Sequence, residues 1–167
     1  MTVTLRNATA ADVFRLQEIE RAAAELFRGS GLIDIDLMSA TTMRDHLSCI
    51  EGGISIVAMA DERVAGFVIG ELHDDVAYLR ELDVDPAFQK RGIGAQLVEA
   101  FVGRARADGA KATYLSTFRD PPWNAPFYRK HGFTDVARAD YFYWMHELET
   151  AQAVFLDLST RVFMRRD

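Results

Sequence analysis

The sequence predicts an α/β (α+β) fold, a mixed and mostly antiparallel central sheet with flanking helices, in a single domain spanning residues 1–167. Three observations carry this. Apolar runs at Ile54–Ala60, Val64–Leu72 and Val76–Val84 are joined by the short polar segments Asp61-Glu62-Arg63 and His73-Asp74-Asp75, the pattern of a meander. Segments with apolar residues at helical spacing stand on both sides of it, so the sheet has helices to cover it. Between Leu82 and Leu97 an alternating run stops at Pro86, a polar loop with two glycines follows, and an amphipathic helix begins at once.

In chain order, Thr2–Asn7 alternates enough for a first strand. Thr9 then stands as the cap of a helix with apolar positions Val13, Leu16, Ile19, Ala23 and Leu26–Phe27, which ends at Arg28 with Gly29 as its C′ residue. Residues 31–36 read as a loop carrying Asp34 and Asp36, and a second helix runs from Ser39 to Ile50. Behind the meander, a helix from Gly92 to Asp108 buries Ile93, Leu97, Val98, Phe101 and Val102. Ala112–Phe118 is the next strand, Asp120–Asn124 a rigid loop, and Asn124–His131 a short helix closed by Gly132. Phe133–Arg138 reads as a strand, Asp140–Leu158 as a helix and Arg161–Arg165 as a last strand.

Composition narrows the function. A chain of 167 residues, 49% hydrophobic and 26% charged, matches one soluble globular domain. No apolar run approaches the roughly 20 residues of a membrane span, and the N-terminus lacks a signal-peptide layout, so no membrane partner is expected. The single cysteine, Cys49, cannot form an internal disulfide, in keeping with a cytoplasmic location. A net charge of −6 speaks against a nucleic-acid partner and favours a cationic acceptor such as an amine.

A strand, a glycine loop and a helix N-terminus in that order make a ready anion site. Amides at the helix start have no partner of their own, and glycines let a phosphate approach them. Two familiar phosphate loops fail on single residues. A Walker A loop needs Lys-Ser/Thr where Ala95-Gln96 stand, and the dinucleotide fingerprint needs a small residue where Leu97 stands. The stretch Gln89-Lys90-Arg91-Gly92-Ile93-Gly94-Ala95 instead resembles the acetyl-coenzyme A loop of the GNAT family of N-acetyltransferases, Gln/Arg-x-x-Gly-x-Gly/Ala behind a strand ending near a proline. The predicted element order is also that family's. The resemblance implies a sheet in which two parallel neighbours splay apart, with acetyl-coenzyme A as cosubstrate. It places the pyrophosphate on the loop from Gln89 to Ala95, and the pantetheine on backbone groups of Leu82 and Val84, a form of strand addition.

A second stretch, Asn124-Ala-Pro-Phe127-Tyr128 followed by Gly132-Phe133, resembles the family's C-terminal signature. Phe127 and Phe133 are core anchors. Asn124 is either the N-cap of the short helix or, as the resemblance implies, a contact to coenzyme A. Tyr128 is either a half-buried aromatic or the group that protonates or hydrogen-bonds the departing thiolate. Ordinary pKa values of about 10 for tyrosine and about 8.5 for a thiol allow both forms of help. Family members often carry a glutamate as general base on the strand before the loop, which points here to Glu81. Its other reading is a surface glutamate paired with Arg80 or Arg91, and Asp83 on the same face is the substitute. A carboxylate at an ordinary pKa of about 4.3 is a poor base for an ammonium ion, so burial or a water relay is required.

Other candidates are weaker. His46 and Cys49 share a helix face and His73-Asp74-Asp75 is a polar cluster, but neither makes a metal set, and no metal is expected. Trp123, Tyr141, Phe142, Tyr143 and Trp144 line a substrate pocket, pack a C-terminal helix or cover a homodimer face. The leading expectation is therefore acetyl transfer from acetyl-coenzyme A to a primary amine by direct attack in a ternary complex, with a small cationic acceptor. The alternatives are a protein N-terminal or lysine acetyltransferase and a coenzyme A-binding module without turnover.

Overall fold

A computed structural model describes residues 2–167. Its strands are β1 (Val3–Asn7), β2 (Ile54–Ala60), β3 (Arg63–His73), β4 (Val76–Val84), β5 (Ala112–Phe118), β6 (Thr134–Asp135) and β7 (Arg161–Arg166). They form one sheet in the order β1-β2-β3-β4-β5-β7-β6. The helices are α1 (Val13–Ala24), α2 (Met43–Gly52), α3 (Ile93–Ala107), α4 (Ala125–Lys130) and α5 (Tyr143–Gln152). All neighbouring strands are antiparallel except β4 and β5. That parallel pair holds only at Val76↔Ala112, Ala77↔Thr113 and Tyr78↔Tyr114. Beyond Tyr78 the two strands run on separately to Val84 and Phe118, so the expected splay is present.

β4 changes face halfway along. Ile69 pairs with Glu81 and Gly70 with Leu79, which leaves Arg80 as an extra residue in a β-bulge. Before it, Ala77 and Leu79 join the core under α3, while Val76 and Tyr78 join the cluster under α5. After it, Leu82 and Val84 pack on the α3 side, and Glu81 and Asp83 turn to the other face. Gly70 is what permits the bulge. A Cβ there would sit 2.1 Å from the Tyr78 carbonyl oxygen and 2.5 Å from the Phe101 ring. Above the β1–β4 half, α1 and α2 cover Val57, Val64, Phe67 and Ile69 with Leu16, Ile19 and Cys49. Among the described residues no helix is long and apolar enough to cross a membrane.

Several boundaries differ from expectation, each for a local reason. The first helix enters through a 3-10 turn at Ala10–Asp12, because Asp12 accepts from the Thr9 N–H (2.8 Å) and both nitrogens of Arg6. That pairing, chiefly with Arg6, holds the Asp12 carboxyl down at about 2. The second helix starts at Met43 rather than Ser39, since Thr42 takes the cap and accepts from the Asp45 N–H at 3.1 Å. The strand expected at Phe133–Arg138 shrinks to Thr134–Asp135, with Phe133 drawn into the core and residues 138–140 wound into a 3-10 turn. The helix expected at Asp140–Leu158 is only Tyr143–Gln152, because Phe142 is extended and Leu158–Thr160 forms a separate turn.

His46 on α2 is fully buried against the Phe67 ring (5.6 Å), and neither ring nitrogen has a hydrogen-bond partner among the described residues. Burial first, then the Arg80 charge, lowers its pKa below the ordinary 6.5. The folded protein thus keeps His46 neutral, while the unfolded chain protonates it. Stability is intact above the ordinary value and is lost as pH falls below it towards the lowered folded value. His46→Leu removes the titration and two buried, unpartnered nitrogens. It should be neutral or stabilising by about 1 kcal/mol at pH 7 and should fall less steeply than wild type between pH 6.5 and 5 in urea denaturation. Parallel pH curves for the two proteins would assign no cost to the buried imidazole.

Candidate functional site

The parting of β4 and β5 opens a gap whose two sides differ in chemistry. On β4, the Asp85 N–H bonds the Ala65 carbonyl at 2.9 Å while Val84 sits opposite Gly66. In an antiparallel ladder this makes Val84↔Gly66 a non-hydrogen-bonded pair, and by alternation Leu82↔Val68 as well. The N–H and C=O groups of Leu82 and Val84 therefore point away from β3, into the gap. Gln89 does not reach outward with its side chain. Its Nε2 donates to the Val84 carbonyl at 3.0 Å and pins the loop to the strand end.

That loop runs through two left-handed residues, Lys90 at φ +61° and Gly92 at φ +76°. Left-handed residues in such a loop make anion-binding hollows, and a non-glycine there is a strain that a site tolerates. A Cβ at Gly92 would meet nothing within 4 Å, so the loop is open on that side. The first helical bond of α3 is Gln96 N–H to Gly92 O at 3.2 Å, so the amides of Ile93, Gly94 and Ala95 precede it and present the positive end of the helix. Gly94 lies beside the Phe127 ring of α4 and Leu82 of β4, at 3.5 Å and 3.8 Å from its would-be Cβ. Asn124 does not cap α4 with its side chain. Its Nδ2 donates to Thr117 Oγ1 at 2.9 Å, and Oδ1 stays buried without a partner among the described residues. An acceptor oxygen, open strand amides and an amide-lined loop together fit a long amide-bearing diphosphate.

On the other face of the same strand, Glu81 and Asp83 stand side by side on β4 with part of their surface still open to solvent. Burial pushes Glu81 up to about 7, helped by the nearby Glu20 carboxylate. Burial and the Glu81 charge push Asp83 well above the carboxylate range. Asp83 keeps the proton and donates to Glu81, and its Oδ2 has no partner among the described residues. Tyr128 belongs to α4 and packs in the α3-side core, yet it faces Glu81, Asp83 and Tyr78 through the gap. Its hydroxyl is pushed far above the ordinary tyrosine value, first by burial and then by those carboxylates, so it is a donor that stays protonated.

Three groups at this site carried no signal in the sequence. Glu20 looks like a polar face residue of α1, but it is buried and takes the Thr41 N–H on both oxygens at 2.9 Å, fixing the segment before α2. Tyr78 and Arg161 sit on strands that read only as alternating. Of the aromatic candidates, Tyr141 and, from α5 itself, Trp144 pack on the cluster of Tyr78, Tyr114 and Phe163, with Trp144 stacked on His73 at 4.9 Å. Trp123 instead meets Phe27, which also packs on Phe118, at the mouth of the gap. Among the described residues no three His, Cys, Asp or Glu side chains gather as a metal set.

Comparison with known proteins gives the same picture. The family profile described as Acetyltransferase (GNAT) family matches residues 17–133. The [Ribosomal protein bS18]-alanine N-acetyltransferase of Salmonella typhimurium is 29% identical over 90 residues, which cover 53% of this chain and 61% of that one. The chain thus matches under two thirds of that relative's length. The PaiA N-acetyltransferase of Thermoplasma acidophilum, solved with coenzyme A, superposes with a TM-score of 0.76 at 18% identity, covering 100% of this chain and 99% of that one. The ribosomal-protein-S18-alanine N-acetyltransferase of Escherichia coli gives 0.70 at 17%, covering 98% and 92%. These two likenesses establish the fold.

The raised carboxylates predict a stability signature. A carboxyl whose folded pKa lies at about 7 instead of the ordinary 4.5 contributes full stability below pH 4.5. That contribution is lost as pH rises through about 7. Glu81→Gln should accordingly gain on wild type by about 1 kcal/mol or more between pH 5 and pH 8 in denaturant titrations. An unchanged difference across that range would mean Glu81 is solvated like a surface acid.

Proposed function

The chain belongs to the GNAT family of acetyltransferases, and from that premise we propose that it moves an acetyl group from acetyl-coenzyme A to a primary amine within a ternary complex. The observation that carries this reading is the parted β4–β5 pair, with the Leu82 backbone groups and the Val84 N–H open along the β4 edge and the charges of Glu81 and Asp83, on the other face of that strand, bearing on Tyr128.

When bound, acetyl-coenzyme A supplies an activated acetyl on a thioester. The loop amides from Lys90 to Ala95 hold its diphosphate, Leu82 and Val84 align its pantetheine as an added strand, and Asn124 Oδ1 accepts from one of its amides. Gly94 leaves room for that approach. Glu81 takes a proton from the incoming ammonium, directly or through water, and a value near 7 matches that task far better than an ordinary carboxyl. Asp83, kept neutral, steadies the Glu81 charge by its hydrogen bond. The Tyr128 hydroxyl, held well above a thiol in pKa, stabilises the departing sulfur by donating a hydrogen bond and retains its proton. A second reading of the acceptor, a protein N-terminus, draws on the Salmonella relative's name.

Calorimetric titration with acetyl-coenzyme A, followed by thiol release against amines and an alanine-first peptide, tests the function. Absence of binding would end it, and binding without turnover on any acceptor would favour a sensor module. Gly94→Val should weaken coenzyme A binding by about 10-fold or more in a folded protein, since Gly94 lies outside the left-handed region where Gly92 sits. Tyr128→Phe keeps the packed ring and deletes only the hydroxyl. With a donor acting in the transition state, kcat should fall about 10²-fold while KM stays within a factor of about two, at low and high pH alike. Wild-type turnover, with chemistry rate-limiting, would reduce Tyr128 to a core aromatic.

A further inference from the structure

Arg161 is a charged group at the gap to which acetyl transfer gives no role. It opens β7 opposite Phe118, on the face that also carries Ser116 and, across the gap, Glu81 and Asp83. Its position is built. Nη2 donates to Ser116 Oγ at 3.1 Å, and the guanidinium lies 4.5 Å above the centre of the Phe118 ring. Arg119 ties the approach to β7 onto the end of β5, its N–H bonding the Thr160 carbonyl at 2.9 Å and its Nε the Ser159 carbonyl at 3.2 Å.

Among the described residues Arg161 pairs with no anion. Other arginines that brace the sheet have one: Arg6 pairs with Asp12 at 2.8 Å, Arg80 with Asp45 at 3.0 Å, and Arg166 with Glu99 at 2.7 Å. Arg161 is largely removed from water, its Nε is buried without a hydrogen-bond partner among the described residues, and Glu81 acts on it only through space. A largely desolvated guanidinium above an aromatic ring, with its Nε donor unspent, costs free energy unless a negative charge is brought to it. The fork of an arginine matches a carboxylate in two parallel hydrogen bonds. The gap thus carries acids on one wall and a spare guanidinium on the other.

We propose that Arg161 binds a carboxylate of the acceptor, so that the acceptor is an amino-acid-like molecule, an amine carrying a carboxylate, with its ammonium end at Glu81 and its carboxylate end at Arg161. This rests on the acetyl-transfer reading and narrows its substrate class. It also refines the expectation of a plainly cationic acceptor: the acids draw in one end, and the other end is anionic.

The test uses matched sets of L-amino acids, their carboxamides and the decarboxylated amines. Wild type should give the lowest KM with the carboxylate member, by about 10-fold or more, because a site built for a polar group rejects the analogue without it. Arg161→Gln should erase that preference by raising KM for the carboxylate member alone, with kcat within about two-fold, and Arg161→Lys should keep part of it. A variant that slows all three members equally would make Arg161 a counter-charge for Glu81 and overturn the proposal. So would a wild type that prefers the amide or the bare amine. Some shift of the pH profile is expected either way, because Arg161 acts on Glu81 through space. A second measurement needs neither turnover nor a variant: calorimetry of N-acetyl amino acids against their N-methylamides on the protein with coenzyme A. Tighter binding of the acid supports the anion site even if no acceptor turns over, whereas equal binding overturns it while leaving acetyl transfer standing.

Discussion

The site depends on one extra residue in one strand. Side chains of a strand alternate, so an unbroken β4 would have put Glu81 and Asp83 on the same face as Ala77 and Leu79, against the apolar side of α3. Two carboxyls would then stand in the core, and Leu82 and Val84 would face the acceptor side. The bulge at Arg80 reverses the alternation at the point where pairing with β5 stops. Gly70 makes it feasible, because the Tyr78 carbonyl and the Phe101 ring occupy the space a side chain would need. Arg80 itself is anchored outward on Asp45 of α2, which holds the bulge in place.

The rest of the molecule stabilises that arrangement from both faces. On the α3 side, Phe101, Leu97 and Ile93 bury against Leu79, with Leu82 and Val84 packed at the margin, so the helix whose first amides follow the glycine loop is clamped to the strand that borders the gap. On the other side, α1 is tied to the strand end by the Arg15–Asp85 ion pair, and Asp85 also accepts from the Ala87 N–H to set the turn leading to the loop. Glu20, one helical turn and a half along, orders the segment before α2. Apolar burial supplies the stability, and these few buried polar contacts decide where the loops stand.

The legible part of this structure was what has a period or a spelling. The meander, the helix behind the glycine loop and the splay implied by the family resemblance all appear, as does the face shared by Glu81 and Asp83. What stayed hidden has physical reasons. A bulge leaves no mark in an alternating run, so the reversal at Arg80 was invisible, although the outcome for Glu81 matched. Glu20, Tyr78 and Arg161 are polar or amphipathic residues whose roles arise from elements more than 40 residues apart in the chain (Tyr78 and Arg161, for instance) coming together. Asn124 has the spelling of an N-cap, but its amide finds Thr117 on the neighbouring strand, and tertiary contact overrode local preference. The strand at Phe133–Arg138 and the long final helix were overdrawn because aromatic residues fit either element, and packing decided between them.

A protein of net charge −6 that holds a polyanion must separate its fields, and the gap does this. Besides the Lys90 and Arg91 side chains, the loop side offers neutral groups: helix amides, the open edge of β4 and an asparagine oxygen, which need no counter-charge. The other face of β4 buries two acids together, so that burial first, and then the Glu20 charge on Glu81 and the Glu81 charge on Asp83, raise them both, Asp83 well above the carboxylate range and Glu81 to about 7. Tyr128, fixed in the α3-side core and facing the acids, is the residue that meets both fields. It can do so only because β4 and β5 have parted, which makes the broken ladder the physical condition for the chemistry and not a flaw in the sheet.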